Sequence, residues 1–128
     1  MILGIGVDIV DHQRVREMLT RRGTEALVAR LLTPAEAAYC LRMFDPAPHI
    51  AVRLAAKEAT FKALAGSFEA RAIGWQEMEV VHDEHRRPSL RLSGRAAARA
   101  AELGVVRTHL SMTHGDTSAV ATVVVEGA

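Results

Sequence analysis

Residues 2–7 form a short apolar run, interrupted by Gly4 and Gly6, that meets its first acid at Asp8. This pattern predicts a buried strand ending at Asp8, with both glycines on one face. Their missing side chains leave room for close approach by another segment or subunit. Apolar residues at 3–4 spacing then predict a helix over 13–22, stopped by Gly23, and a short helix over 24–31. Thr33-Pro34-Ala35-Glu36 has the form of a capping box with proline in the first turn, so a helix should run from there to Met43. The prolines at 46 and 48 break it. The next stretch, residues 50–65, is alanine-rich and free of Pro and Gly, and it predicts the longest helix.

Beyond a loop at 66–76, the period changes from helical to alternating. Strands are expected at 77–82 and 89–93, joined as a hairpin by the polar turn Asp83 to Pro88. Ser93 suits the cap of a helix over 94–103, which Gly104 ends. Two further strands, 107–112 and 118–125, flank His114-Gly115-Asp116. The whole reads as one α+β domain over residues 1–128, with a largely antiparallel sheet.

Composition narrows the function classes. At 128 residues and 49% hydrophobic, the chain can bury a core without staples, and global disorder is excluded. A single cysteine excludes an intrachain disulfide framework and a cysteine-only metal site. The net charge of +1 gives no general reason to expect nucleic acid as a partner. No apolar stretch approaches the roughly 18 residues of a membrane span, and the N-terminus lacks the basic start of a signal peptide, so a soluble cytoplasmic protein is expected. Of the sixteen basic residues, fourteen are Arg and two are Lys, and both lysines, Lys57 and Lys62, fall in the 50–65 helix. A compact ammonium and a guanidinium fork are chemically distinct, although chance placement in an Arg-biased chain gives the same count.

Three groups of residues could carry chemistry. Asp8 at a strand end could present a carboxylate at a sheet rim, or simply cap a turn. Glu58 and Lys62 stand at i and i+4 on one helix face, with Ala51 and Ala55 beside them; small residues there leave space for a ligand or another chain, while an ordinary surface ion pair has the same spacing. Arg53 and Lys57 form a second such pair on an adjacent side. His114 suits a phosphate contact, a general base or a turn hydrogen bond equally. Arg86 and Arg87, in the hairpin turn, suit phosphate or a solvated tip. Two acids without sulfur ligands favour a hard cation such as Mg²⁺ acting with a phosphorylated substrate.

Three blocks give the chain a resemblance to the holo-acyl-carrier-protein synthases, the small bacterial 4′-phosphopantetheinyl transferases. They are Gly4-Ile5-Gly6-Val7-Asp8-Ile9-Val10 with Arg14-Val15, Arg53 to Leu64 around Lys57-Glu58-Ala59, and His109-Leu110-Ser111-Met112-Thr113-His114. Leu32 to Glu36 is also family-like, and the match covers essentially the whole chain. The resemblance implies the α+β phosphopantetheinyl transferase fold, assembled as a homotrimer with active sites between subunits. It implies transfer of 4′-phosphopantetheine from coenzyme A to a serine of apo acyl carrier protein, with adenosine 3′,5′-bisphosphate leaving. Asp8 and Glu58 match Mg²⁺ ligands, and Lys62 matches a lysine beside the transferring phosphate. Asp8, Glu58 and Lys62 are thus the catalytic set, with the general base left open. Arg53, Lys62 and His114 match positions near the coenzyme A phosphates, and Arg14 and Arg21 match a basic helix that receives the carrier protein.

Two segments depart from the family pattern. Ala65-Gly66-Ser67-Phe68 replaces a glycine-rich segment and keeps only Gly66. His85-Arg86-Arg87-Pro88 replaces an Asn-Gly-Lys-Pro turn beside the nucleotide. His85, Arg86 and Pro88 therefore stand at nucleotide-binding positions, but His-Arg suits a type I′ turn poorly and the turn should differ. A noncatalytic relative that binds coenzyme A or the carrier protein is the alternative, and the preferred carrier protein, in fatty-acid or polyketide synthesis, is left open.

Overall fold

A computed structural model describes residues 1–128, the side chain of Glu69 excepted. The elements are β1 (Ile2–Asp11), α1 (His12–Arg22), α2 (Thr24–Leu31), α3 (Pro34–Leu41), α4 (Pro46–Ala63), β2 (Met78–His82), β3 (Pro88–Leu92), α5 (Gly94–Leu103), β4 (Val105–His114) and β5 (Ser118–Gly127), with two short 3₁₀ turns between α4 and β2. All strand pairs are antiparallel, but they form two sheets, β1-β5-β4 and the hairpin β2-β3.

Several boundaries differ from the sequence expectation. The strand expected to end at Asp8 continues to Asp11, so Asp8 lies within β1, opposite Ala121. Alternation persists past the acid: Gly6 and Val10 are buried, whereas Val7 and Ile9 are exposed. α4 begins at Pro46 rather than residue 50. Asp45 accepts a hydrogen bond from the Ala47 N–H, and both prolines fall in the first turn, where no helical N–H bond is lost. β4 runs on to include His114. Ser93 occupies the N-cap of α5 without a side-chain cap bond; instead the Glu77 carboxylate accepts from the Arg95 N–H at 2.7 Å.

The centre of the molecule is α4, 18 residues long and packed on several sides. One side lies against β1 and β5. A Cβ on Gly6 would collide with the carbonyl oxygen of Ala59, and one on Gly4 with that of Ala63. The segment that the two glycines admit is thus α4 of the same chain. Another side carries Lys57, fully buried, whose Nζ donates to Glu36 Oε1 (2.8 Å), Trp75 O (2.8 Å) and Met78 O (2.9 Å). Glu36 also completes the α3 capping box with Thr33 and accepts from the Val80 N–H. Burial pulls the Lys57 ammonium below its ordinary pKa, while the Glu36 carboxylate opposes that shift. At the C-terminal end, buried Arg99 donates to the carbonyls of Leu64 and Ala65, which the helix leaves unpaired.

The glycine contact yields a direct test. Gly6→Ala should force helix and strand apart and lower stability by about 1–3 kcal/mol, the usual cost of overpacking. Gly115→Ala, where an added Cβ meets open space, should change it by less than about 0.5 kcal/mol. Urea denaturation of both variants checks this; equal stabilities would contradict the contact.

Candidate active site

The close approach of α4 to β1 brings together side chains fifty residues apart. Lys62 Nζ lies 2.9 Å from Asp8 Oδ1 and donates also to the Val7 carbonyl at 3.0 Å. The Asp8 and Glu58 carboxyl groups interact directly, and the Arg14 guanidinium approaches Glu58 Oε1 at 3.6 Å. Burial pushes the Glu58 carboxyl up to about 7, helped by the adjacent Asp8 carboxylate and its charge. Burial also raises Asp8, but the adjacent Glu58 carboxyl, the hydrogen bond from Lys62 and the Lys62 charge outweigh it, so Asp8 sits below the ordinary carboxylate range. The two acids are therefore driven apart in pKa.

Asp8 Oδ2 is buried and has no hydrogen-bond partner. Such an orphaned oxygen, on a carboxylate adjacent to a second one, fits a hard divalent cation. Among the described residues no group of three or more His, Cys, Asp or Glu could hold a metal. A cation here would have two protein carboxylates and would take its other ligands from water or substrate, which is how Mg²⁺ is commonly bound.

A cavity of about 450 Å³ opens beside this pair, lined by Glu58, Phe61, Lys62, Arg71, Trp75 and Met78, among others. Glu58, Lys62 and Arg71 give its lining charge, and the rest of the lining is apolar. The expectation that Ala51 and Ala55 provide ligand space is corrected: both are fully buried in the core, and the space lies along Phe61 and Trp75.

Arg53 and His114 belong to a different side. Arg53 follows Glu58's helix five positions earlier, about 140° away around the axis. It is only 3% exposed, lies 4.4 Å over the Tyr39 ring and donates to the His49 carbonyl at 3.0 Å. Its Nε is buried without a partner. Around it stand Tyr39, His49, His82 and His114, with ring centroids about 6 Å apart in successive pairs. A cavity of about 720 Å³ beside them is lined by Tyr39, Arg42, Met43, His82 and Arg86. Sequence reasoning missed Tyr39, Arg42, His49 and His82. They come from α3 and the residue that caps its end, the start of α4 and β2, and no spacing along the chain links them.

Arg86 lies in the hairpin turn, which is a three-residue loop rather than a type I′ turn. Asp83 and Arg87 close it, Arg86 takes φ 61°, and the Asp83 carboxylate accepts from the N–H groups of His85 and Arg87. His85 is exposed at its tip, and Pro88 opens β3. Gly66, at φ 112°, turns the chain just after α4, three residues beyond Ala63. On α1, Arg14 and Arg21 are both exposed, but Arg14 lines a groove reaching Glu58 while Arg21 lines a separate one with Gln13 and Glu17.

Residues 4–124 match the family model of the 4′-phosphopantetheinyl transferase superfamily. A holo-[acyl-carrier-protein] synthase of Clavibacter michiganensis is 50% identical over 127 residues, covering 99% of this chain and 98% of that protein. The corresponding synthase of Syntrophotalea carbinolica is 47% identical, covering 97% and 95%. Among solved structures, the holo-[acyl-carrier-protein] synthase of Neisseria meningitidis superposes with a TM-score of 0.86 at 30% identity, covering 98% of this chain and 99% of that one. The synthase of Bacillus anthracis, solved in complex with CoA (3′,5′-ADP), gives 0.79 at 30% identity, covering 100% and 99%. Sequence and fold agree over the full length, and the chain belongs to the 4′-phosphopantetheinyl transferase superfamily, among the holo-[acyl-carrier-protein] synthases.

Proposed function

We propose that this chain transfers 4′-phosphopantetheine from coenzyme A to a serine hydroxyl of apo acyl carrier protein, with Mg²⁺ held by Asp8 and Glu58. The carrying observation is the carboxylate pair from β1 and α4, with one buried oxygen unpartnered and Lys62 alongside. When bound, Mg²⁺ would neutralise the pyrophosphate and polarise the phosphoryl group under attack. Lys62 stands where it can move from Asp8 to the transferring phosphate and stabilise charge there. Glu58 receives the serine proton, directly or through water. The serine oxygen–phosphorus bond forms as the bond to adenosine 3′,5′-bisphosphate breaks. The apolar cavity along Phe61 and Trp75 suits the pantetheine arm, and the basket at Arg53, His114 and Arg86 suits the nucleotide phosphates. Gly66, His85 and Pro88 border the nucleotide in this reading.

The two halves lie on different faces of α4, and we assign their closure to a homotrimer in which each site forms between neighbouring copies. The sheet has a surface to support this: Ile5, Val7 and Ile9 on the outer face of β1 are 61%, 55% and 62% exposed. An apolar row of this kind marks an interaction surface. A cytoplasmic location fits a chain in which no helix is long and apolar enough to cross a membrane.

Incubation with coenzyme A, Mg²⁺ and an apo carrier protein should add a phosphopantetheine adduct visible by intact-mass spectrometry, and chelation should abolish it reversibly. Asp8→Ala should lower kcat/KM by about 100-fold or more, beyond the loss expected for a group one shell behind a metal ligand, with the circular dichroism spectrum unchanged. Full activity in that variant would remove Asp8 from the site.

Arg21 tests the carrier-protein surface more cleanly than Arg14, because Arg14 touches Glu58. Arg21→Glu should raise the KM for an acidic carrier protein about fivefold at low salt, with less effect at high salt. The KM for coenzyme A should stay constant. An unchanged carrier KM would rule out this helix face as the docking surface.

A further inference from the structure

The basket around Arg53 has a feature that the transfer chemistry does not require. Its cationic and titratable groups come from several elements: His12 from α1, Tyr39 from α3 and Arg42 just after it, His49 and Arg53 from α4, His82 from β2, Arg86 from the hairpin turn and His114 from β4. Of the nearby acids, Asp116 contacts His12 through its carbonyl, and two others are engaged by other partners. Asp45 is bound to Arg16 at 2.7 Å and caps α4, and the Asp83 carboxylate accepts from two N–H groups of its own turn. Buried polar atoms are left over: Arg53 Nε and His12 Nε2 have no partner. Four imidazoles and three guanidiniums thus gather on this side of α4, and Arg42, His82 and Arg86 line the cavity beside them.

We propose that this basket is a proton-coupled phosphate site, in which a phosphate ester bound against Arg53 brings a proton with it onto His49. The proposal rests on the transferase reading for its ligand class, the 3′-phosphorylated nucleotide portion of coenzyme A and of the released adenosine 3′,5′-bisphosphate. The physical basis is direct. His49 is half-buried, with Tyr39 at 6.0 Å, His114 at 5.9 Å and the Arg53 guanidinium on the next helical turn. Burial, then the Arg53 charge and His114, hold it below the ordinary histidine pKa, with Asp45 the one group opposing, so the free protein disfavours a proton on this ring. A phosphate dianion reverses that balance. It offsets the Arg53 charge and accepts a hydrogen bond from the second imidazole nitrogen, which carries a proton only in the cationic form. His82 is held low in the same sense by burial, Arg53 and Arg86, with Asp83 opposing, and forms a second, more exposed acceptor. Below the free pKa the proton is already in place, and above the bound pKa it is not retained. Between the two, affinity falls as pH rises.

The test is calorimetric titration of the purified protein with adenosine 3′,5′-bisphosphate at pH 7, in buffers of differing ionisation enthalpy. Net proton uptake is expected. A phosphate monoester with a second pKa of about 6 loses its remaining protons when cations surround it, so uptake must come from the protein. Kd should rise about tenfold from pH 6 to pH 8. Adenosine, which lacks phosphate, should bind without uptake. His49→Gln should lose most of the uptake and flatten the pH profile, and His82→Gln should lose less. Zero uptake or net release in the native protein overturns the proposal whether or not a variant folds, and so does uptake that is equal in both variants and the native chain. Failure to bind the bisphosphate in a protein that performs the transfer also overturns it. The transferase reading fails separately, through absence of the phosphopantetheine adduct, whatever the proton count.

Discussion

Helix and strand backbones touch where β1 crosses α4, and the rest of the site depends on that contact. It is possible because Gly4 and Gly6 have no side chains to separate the strand from the carbonyl oxygens of Ala63 and Ala59. With the two backbones so close, Asp8, the next residue on the same face, meets Glu58 and Lys62. A larger side chain at either glycine would widen the gap and move the carboxylates apart. The carboxylate pair then has the features that a metal-binding acid needs: partial burial, a lysine ion pair, and an oxygen with no protein partner.

The opposite face of α4 is held as firmly by polar contacts. Lys57 joins α4 to α3, to the turn before β2 and to the start of β2 through three bonds from one buried ammonium. Removing one partner of such a pair strands a buried charge, so the arrangement fixes α4 in one register. Trp75 and Met78, whose carbonyls Lys57 holds, also wall the cavity beside Glu58. Arg99 secures the last turn by binding the carbonyls of Leu64 and Ala65, just before Gly66. In this chain, with the glycine-rich segment reduced to one glycine, that guanidinium orders the turn after the lysine helix.

Much of the fold was legible from local chemistry. The capping box at Thr33 and Glu36, the glycine stops and the alternation of the later strands each act within a few residues. The errors came from longer-range effects. Asp8 looked like a strand end because an acid rarely continues an apolar run, yet Lys62 and Glu58, far along the chain, make its burial tolerable. Prolines 46 and 48 read as breakers because their place in a first turn depends on Asp45 acting as the cap. Lys57 and Lys62 stood out by composition, but only tertiary contacts separate their roles, one closed among carbonyls and one open beside Asp8. The Tyr39, His49 and His82 assembly left no mark along the chain, since each comes from a different element.

One helix thus carries the Glu58 and Lys62 face and, about 140° away, the Arg53 face, which the proposed function assigns to metal and to phosphate. In the proposed homotrimer, neighbouring copies complete each other's sites. The most direct test combines two inactive proteins, Asp8→Ala and the double variant Arg86→Ala with His114→Ala, by co-expression in one cell. If each site draws one face from each of two copies, random trimers should recover about a quarter of native transfer activity, since half the copies supply each intact face. Recovery no greater than the sum of the separate variants would contradict the account and place both faces of the site within one chain.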